Sequence, residues 1–450
     1  MATLSARLRS LPERHGRVTL IILVAILALG FGLRAYRVVE PLATPGDDSR
    51  AYYALAKGLY EEGSYGALLR DASDWSPGAP LLYSAGFYAT GGAREGTARI
   101  IELLCGLAAI VVIYLLGRRL NCRPAGLIGA FGAAVYPPFI HSTGALFSEP
   151  PAMLTLPAAV LAFLWAAERP PAAWRWLVPG LLFGATAMIR PEYLLVGAAF
   201  AVLALIYVGR QGGWKPGFVA AALFAVAMAL PIAPWTVRNA IVLDRVVPIS
   251  TGGGKALYVG TMLPADGEYQ RVKAMLVERY LGRELEPGSD ALDRVHPTPL
   301  FDRVAARYPE LPRDEALGKI GKENLYDYVE QDPVGYAAMT VRKVWRMWSG
   351  GVGEAMDSTG GRVVQVLLVL LGLVGLALLG LRRRWWELVA MATPIVLVTA
   401  VGAASLAAPR RNEVLMTLIF PLAGIALARL GAAISSSPRW PYKQASSPQS

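Results

Sequence analysis

Cysteine is nearly absent: two residues in 450. Cys105 lies in an apolar run and Cys122 in a short basic connector, so no disulfide framework holds the chain together. Histidine numbers three, scattered, and with so few cysteines a Cys/His zinc site is excluded. Charge is also short. Only 17% of residues are Asp, Glu, Lys or Arg, against about 25% in a typical soluble protein. Acids are the scarcer sign, 33 against 44 bases, for a net charge of +11. No basic stripe is interleaved with aromatics, as binding to a nucleic-acid strand requires, so nucleic acid is not an expected partner. In a chain this apolar the excess instead fits arginines facing cytoplasm and anionic lipid.

The excess is in apolar length. Runs near the 20 or so residues that cross a bilayer fall at roughly 18–36, 97–117, 124–141, 150–167, 176–189, 191–209, 218–237, 363–381, 385–404 and 414–430. They predict an all-α polytopic membrane protein of about 10 transmembrane helices, with both termini on one side. The first run lacks a small-residue cleavage pattern and is expected to be a retained helix. One set of connectors carries Arg7, Arg9, Arg14, Arg17, Arg118, Arg119, Arg123, Arg169, Arg175, Arg210, Lys215 and Arg382 to Arg384. The short loops of the other set carry only Arg190, Arg410 and Arg411. This asymmetry puts both termini in the cytoplasm. Arg190-Pro191 interrupts 176–209, which is read as a tilted hairpin or a re-entrant pair; either returns the chain to the cytoplasmic side.

The expected division is an N-terminal transmembrane module over 1–237, a large extracytoplasmic loop over 238–362, C-terminal transmembrane helices over 363–430 and a disordered cytoplasmic tail over 431–450. The first outer loop, 37–96, is the other long external segment. The spans are nearly free of ionisable residues, whereas an ion-coupled transporter usually places acids near the midplane. Polar groups instead collect at the outer surface, which favours chemistry on something presented there.

Within the first outer loop, Asp48, Tyr52, Ala56 and Leu59 share one helical face. Asp48 reads as a helix N-cap, as an interfacial carboxylate able to act as base or metal ligand, or as both. Asp74 to Tyr88 opens with prolines and is aromatic and poor in charge; it reads as an interfacial helix or a plain re-entry to the next span. Thr251-Gly252-Gly253-Gly254-Lys255 is not a phosphate loop, because Ala256 stands where Ser or Thr is required. Tyr326 to Glu330 and Val341 to Trp348 read as amphipathic helices, the second suited to lie on the membrane.

Asp48 with Tyr52 at +4 and Ala56 at +8, just after the first span, resembles the GT-C membrane glycosyltransferases. The closest likeness is to family 39, which holds protein O-mannosyltransferases and lipid A aminoarabinose transferases. In the same order, His141 to Pro150 is similar to that family's second outer loop, and Gly184 to Glu192 to its Arg-Pro turn. Pro234 to Asn239 with Val247 to Gly254 and Leu257 to Gly260 follows, then Ala408 to Glu413 before the last span. Two departures stand out. Ser49 replaces the usual acid after the first Asp, with Asp47 before it instead, and Ser76 stands where some members carry a basic residue.

The resemblance implies a GT-C-like fold and inverting transfer of a hexose or pentose from a polyprenyl-phosphate-linked donor. The acceptor would be an extracytoplasmic glycan, lipid or protein, and the setting a bacterial inner membrane. It implies Asp48 as general base, Asp47 as its partner, and Arg190, Arg238, Arg410 and Arg411 as donor phosphate ligands. Tyr52, Glu149 and Tyr83 are the candidate substrate contacts. A divalent ion, if one is used, is assigned to Asp48, Glu149 and His141. The competing readings are a lipid-linked sugar flippase or transporter and a non-catalytic subunit of the same fold.

Overall fold

The computed structural model describes residues 2–39, 47–69, 72–168 and 172–436. Among these residues all regular structure is helical. The first helix, α1 (Ala2–Val39), leads to a pair, α2 (Asp47–Glu61) and α3 (Gly78–Thr90), and then to α4 (Glu95–Leu120). Next come α5 (Arg123–Val135), α6 (Pro137–His141), α7 (Glu149–Ala166), α8 (Leu177–Ile189), α9 (Tyr193–Gly212) and α10 (Trp214–Leu243). A group of shorter helices follows: α11 (Gly253–Thr261), α12 (Tyr269–Leu281), α13 (Asp290–Asp293), α14 (Thr298–Ala305), α15 (Arg313–Gln331) and α16 (Pro333–Ser349). The last three are α17 (Thr359–Leu381), α18 (Trp385–Ala404) and α19 (Pro409–Ser436). The tail from 437 onward lies outside the described residues.

Among the described residues, eight helices are long and apolar enough to cross a membrane. The two remaining expected spans differ for visible reasons. The run at 124–141 is two helices, α5 and α6, because Pro137 and Pro138 have no N–H to continue the first. Their absence strands the carbonyls of Ala133 and Ala134, four residues back. Arg34, on α1 and 1% exposed, donates to both at 2.9 Å. A buried cation thus completes a proline-broken helix. The run at 176–189 is α8, a 13-residue helix extended by a tight turn at Ala173–Trp176. The chain turns at Arg190–Glu192 and α9 returns it, so Tyr207 donates to the Ala167 carbonyl at 2.6 Å.

Contacts gather the basic connectors at one end. Arg382 donates to the Asn121 side chain at 2.7 Å, Arg384 to the Leu120 and Arg119 carbonyls, and Arg119 pairs with Glu168 at 3.3 Å. The sites of interest lie at the opposite end. The bundle itself closes on small residues. A side chain on Gly180 would collide with the Phe224 carbonyl on α10, and one on Gly424 with the Ala125 carbonyl on α5. Gly180→Leu should therefore lower stability by about 1–3 kcal/mol, the usual cost of overpacking. A falling thermal midpoint in detergent checks this.

At the opposite end α2 and α3 pack through Tyr52, Tyr83 and Phe87, with Tyr60 and Tyr88 edge to face at 4.9 Å. The α11 to α15 group has its own core of Tyr258, Val259, Leu276, Phe301 and Ile320. The helix α16 ties this layer down. Its buried Lys343 donates to the Gly260 carbonyl at 2.7 Å and the Ala403 carbonyl at 2.9 Å. Burial and Arg346 nearby lower that ammonium to about 8. The helix thus buries Met339, Lys343 and Met347 on one face and exposes Val334, Val341 and Trp345 along the other, the arrangement expected of an amphipathic helix.

Candidate active site

Asp48 lies in the first described turn of α2. The Asp47 side chain lies outside the described residues. Asp48 accepts a hydrogen bond from Arg410 Nη1, in the first turn of α19. The other edge of that guanidinium forks onto Glu149, with Nε 2.9 Å from Oε1 and Nη2 3.1 Å from Oε2. Phe147 lies under it, 4.4 Å from guanidinium carbon to ring centre. The same Glu149 Oε1 also accepts from Arg190 Nη1 at 2.9 Å, and Arg190 Nε reaches Glu192 at 2.9 Å. The order is Asp48, Arg410, Glu149, Arg190, Glu192: three carboxylates separated by two guanidiniums.

Alternation is what makes this burial tolerable. Glu149 is 1% exposed, and a buried carboxylate survives as a charge only when paired and hydrogen-bonded. Burial works against charge on Glu192, but Arg190 and Arg411 outweigh it and hold its carboxyl below the usual range. Tyr52 stands beside the row, its hydroxyl hydrogen-bonded with Ser148 and Ser76 and its ring edge-on to Trp75 at 5.3 Å. Burial, then Asp48 and Glu149, raise its phenol and keep it protonated.

A second buried acid builds the loop that carries Glu149. Glu102 of α4 is fully buried and accepts backbone N–H bonds from Gly144 (2.7 Å), Leu146 (3.1 Å) and Phe147 (2.7 Å). Tyr83, expected at the substrate, is instead fully buried, its hydroxyl 2.7 Å from Glu102 and from the Phe147 carbonyl. It supports the loop. Leu146 holds a φ of +56°, a conformation a leucine adopts only when its surroundings impose it. Glu102→Leu would orphan three buried N–H groups, each worth about 1–3 kcal/mol. Faster hydrogen exchange over 144–147 and a lower melting point are expected, with other segments far less affected.

The four arginines part ways. Arg190 and Arg410 are engaged with acids. Arg238 belongs to a neighbouring cluster: it donates to the Tyr65 carbonyl and the Asn239 side chain, each at 2.9 Å, and packs over Trp235 and Tyr65. Arg411 is different. Its Nη1 is buried with no hydrogen-bond partner among the described residues, as are Tyr193 Oη and Glu413 Oε2. Arg411 lies within electrostatic reach of Glu192, Arg190 and Tyr193. Glu413 accepts from Ser142, linking α19 to the loop after α6.

The metal set does not assemble. Arg410 occupies the space between Asp48 and Glu149, and His141 faces away against Gly353. Among the described residues no group of three or more His, Cys, Asp or Glu could hold a metal ion. The glycine-rich segment also has a local explanation. Gly254 and Lys255 N–H groups donate to Asp314 at 2.8 and 3.2 Å, so the chain's own carboxylate takes the place of an outside anion. Glu102, Glu192 and Glu413 carried no expected role, although each is an acid beside or within an apolar run, which is the signal that marks them.

The all-helical bundle has its likeness among solved membrane glycosyltransferases. The oligosaccharyltransferase of Archaeoglobus fulgidus, in its apo form, superposes with a TM-score of 0.57 over 93% of this chain and 52% of its own, at 16% identity. Archaeoglobus fulgidus AglB, in complex with an inhibitory peptide and a dolichol-phosphate, gives 0.57 over 92% and 50%, at 15% identity. The chain spans about half the length of these archaeal enzymes. ArnT from Cupriavidus metallidurans bound to undecaprenyl phosphate aligns over 93% and 78% at 12% identity with a TM-score of 0.41, too low to establish a shared fold by itself.

Residues 74–235 match the family model of the dolichyl-phosphate-mannose-protein mannosyltransferases. No curated protein sequence matches the chain. The resemblance to the GT-C membrane glycosyltransferases therefore holds in both sequence and fold, and the likeness to family 39 rests on the sequence match over 74–235.

Proposed function

We propose that this chain moves a sugar from a polyprenyl-phosphate-linked donor to an acceptor on the outer side of a bacterial inner membrane, with inversion at the transferred carbon. The observation that carries the reading is the acid–arginine row at the end of the bundle away from the basic connectors. By the excess of Lys and Arg in those connectors, the row faces outward and the termini face the cytoplasm. A donor with its tail in the bilayer keeps its phosphate at that depth.

Asp48 removes the proton of the acceptor group, whose freed electron pair attacks the sugar's anomeric carbon from the face opposite the phosphate. The bond from that carbon to the phosphate oxygen breaks, and the polyprenyl phosphate departs with the electron pair. Arg411, with its unpaired buried nitrogen, is the phosphate ligand best placed to stabilise that charge. Arg410 links the two events. A carboxylate held by a guanidinium is a poor base, and an arriving phosphate offers Arg410 another anion, freeing Asp48 when a donor is in place. Asp47 supports Asp48, Glu149 with Arg190 fixes Arg410, and Tyr52 lines the approach. Arg238 steadies the first loop instead of touching phosphate.

The transporter reading gains nothing from the buried charges. Arg34 gives Nη1 and Nη2 to fixed carbonyls and Glu102 accepts from fixed amides, so both are tied into the framework. The test is a panel of labelled polyprenyl-phosphate sugars offered to the purified protein in liposomes with an envelope extract. One donor should be consumed and its sugar appear in a product of inverted configuration. No consumption of any donor, beside an active control enzyme, would remove the reading.

A further inference from the structure

A second polar site lies near the row. A cavity of about 220 Å³ opens where the first loop, the segment after α10 and the outer helices meet, and its walls include Asp74, Arg245, Thr251, Asp302, Arg313 and Asp314. That is far more room than the ~15 Å³ one water needs. The walls are built, not incidental. Thr251 N–H donates to the Ser73 carbonyl at 2.8 Å, and its hydroxyl to Asp74 Oδ1 at 2.8 Å. Arg313 bridges Asp74 and Asp302, the latter at 3.3 Å. Arg245 pairs with Glu315. Asp314 uses only Oδ1, for the Gly254 and Lys255 N–H bonds.

The lining decides the ligand class. No apolar side chain contributes to it, which excludes a lipid tail. Three carboxylates face two guanidiniums that are already paired, which disfavours an anion. A bound cation would need carboxylates free of Arg313. What remains is a neutral ligand rich in hydroxyls, able to donate to carboxylates and to the threonine oxygen and to accept from arginine. Burial and Asp74 raise the Asp314 carboxyl to about 6, against the pull of its two backbone bonds, so near neutrality it is still mostly a carboxylate that accepts from a ligand's hydroxyls. Position fits as well. Trp75 follows Asp74 in sequence and packs on Tyr52, one turn from Asp48.

The geometry points to a carbohydrate subsite: the cavity between Asp74, Thr251, Arg313 and Asp314 holds a single pyranose unit, separated from the reacting centre by the Trp75–Tyr52 pair. The transferase reading suggests that this unit is part of the acceptor, but binding itself does not depend on it.

The experiment uses the full chain in lipid nanodiscs and saturation-transfer NMR with methyl glycosides of glucose, mannose and galactose as probes. Asp314→Asn keeps an oxygen for the Gly254 and Lys255 bonds while changing the cavity-facing group, so it should fold; Asp302→Ala alters the opposite wall. At least one glycoside should bind, with affinity about tenfold weaker in each variant, the loss of one hydrogen bond to a charged group. Asp48→Asn should bind it unchanged. Melting curves matched to wild type confirm that the loss is local. No binding by any glycoside overturns the proposal. So does binding that survives both cavity variants and falls in Asp48→Asn, which would place the sugar in the reacting centre, or a cavity that takes methylammonium and no glycoside. Glycoside binding in a protein that consumes no polyprenyl-phosphate donor would leave the subsite standing and remove the transferase reading.

Discussion

Asp48→Asn lowers sugar transfer by about 10²–10⁴-fold, the range that positioned proton transfer supplies, and leaves the folded bundle in place. The two halves of this expectation have different origins. The change removes the only carboxylate in the row that is open to an acceptor, since Glu149 is enclosed between two arginines and Glu192 is held by Arg190. It also removes one charge from the Arg410 contact, but the Asp48 side chain is 31% exposed and Arg410 keeps its fork on Glu149. A partly exposed pair contributes only about 0–1 kcal/mol. Initial rates at saturating donor, with melting curves on the same preparations, check both. Arg410 also gives a direction for donor affinity: freed from Asp48, it meets phosphate with less competition, so the variant binds donor at least as tightly as wild type.

Glu149→Leu acts oppositely, on the fold as much as on the chemistry. Glu149 is 1% exposed and is the shared partner of Arg190 and Arg410. Without it two guanidiniums face each other across an apolar side chain, and breaking a buried pair in this way costs about 3–5 kcal/mol. The melting point should fall by many degrees, and turnover by at least the ~10²-fold attached to losing one preorganised group. Added salt should recover little, because screening acts weakly on buried charge. A double variant, Glu149→Leu with Arg190→Met, should melt no higher than the single one, because Arg190 keeps Glu192 as a partner and its removal strands that carboxylate. A double variant more stable than Glu149→Leu would show that Glu192 does not compensate Arg190.

The helices and the end of the bundle where chemistry gathers were readable from the sequence, because both depend on local composition. Apolar runs of bilayer length and the one-sided placement of arginine need no knowledge of contacts. Proline gave partial warning: Pro137-Pro138 broke the expected span at 124–141, but nothing local announced that Arg34, about a hundred positions earlier, would complete it. The site was legible in its members and not in its pairings. Asp48, Glu149, Arg190 and Arg410 were singled out as interfacial polar residues, and the structure brings these four into one row.

Arg238 was grouped with them on the same grounds and stands apart, since its place is set by Tyr65 and Trp235. Tyr83 failed as a substrate contact for a similar reason. A tyrosine on an apolar helix has one polar atom to satisfy, and Glu102 lies where it can do so. Glu102 is the clearest case of what a sequence withholds. One acid in an apolar helix signals function in general, but its role as the anchor of 144–147 depends on where another loop falls.

The central claim is that a lipid-linked donor is consumed here by a reaction that needs the Asp48 carboxylate. The most direct test is a single-turnover reaction of labelled donor on wild type and Asp48→Asn, with donor binding measured on the same samples. The account predicts equal or tighter donor binding by the variant and transfer slower by about 10²–10⁴-fold. Transfer at an undiminished rate in Asp48→Asn, with donor bound, would contradict it and reduce Asp48 to a partner of Arg410.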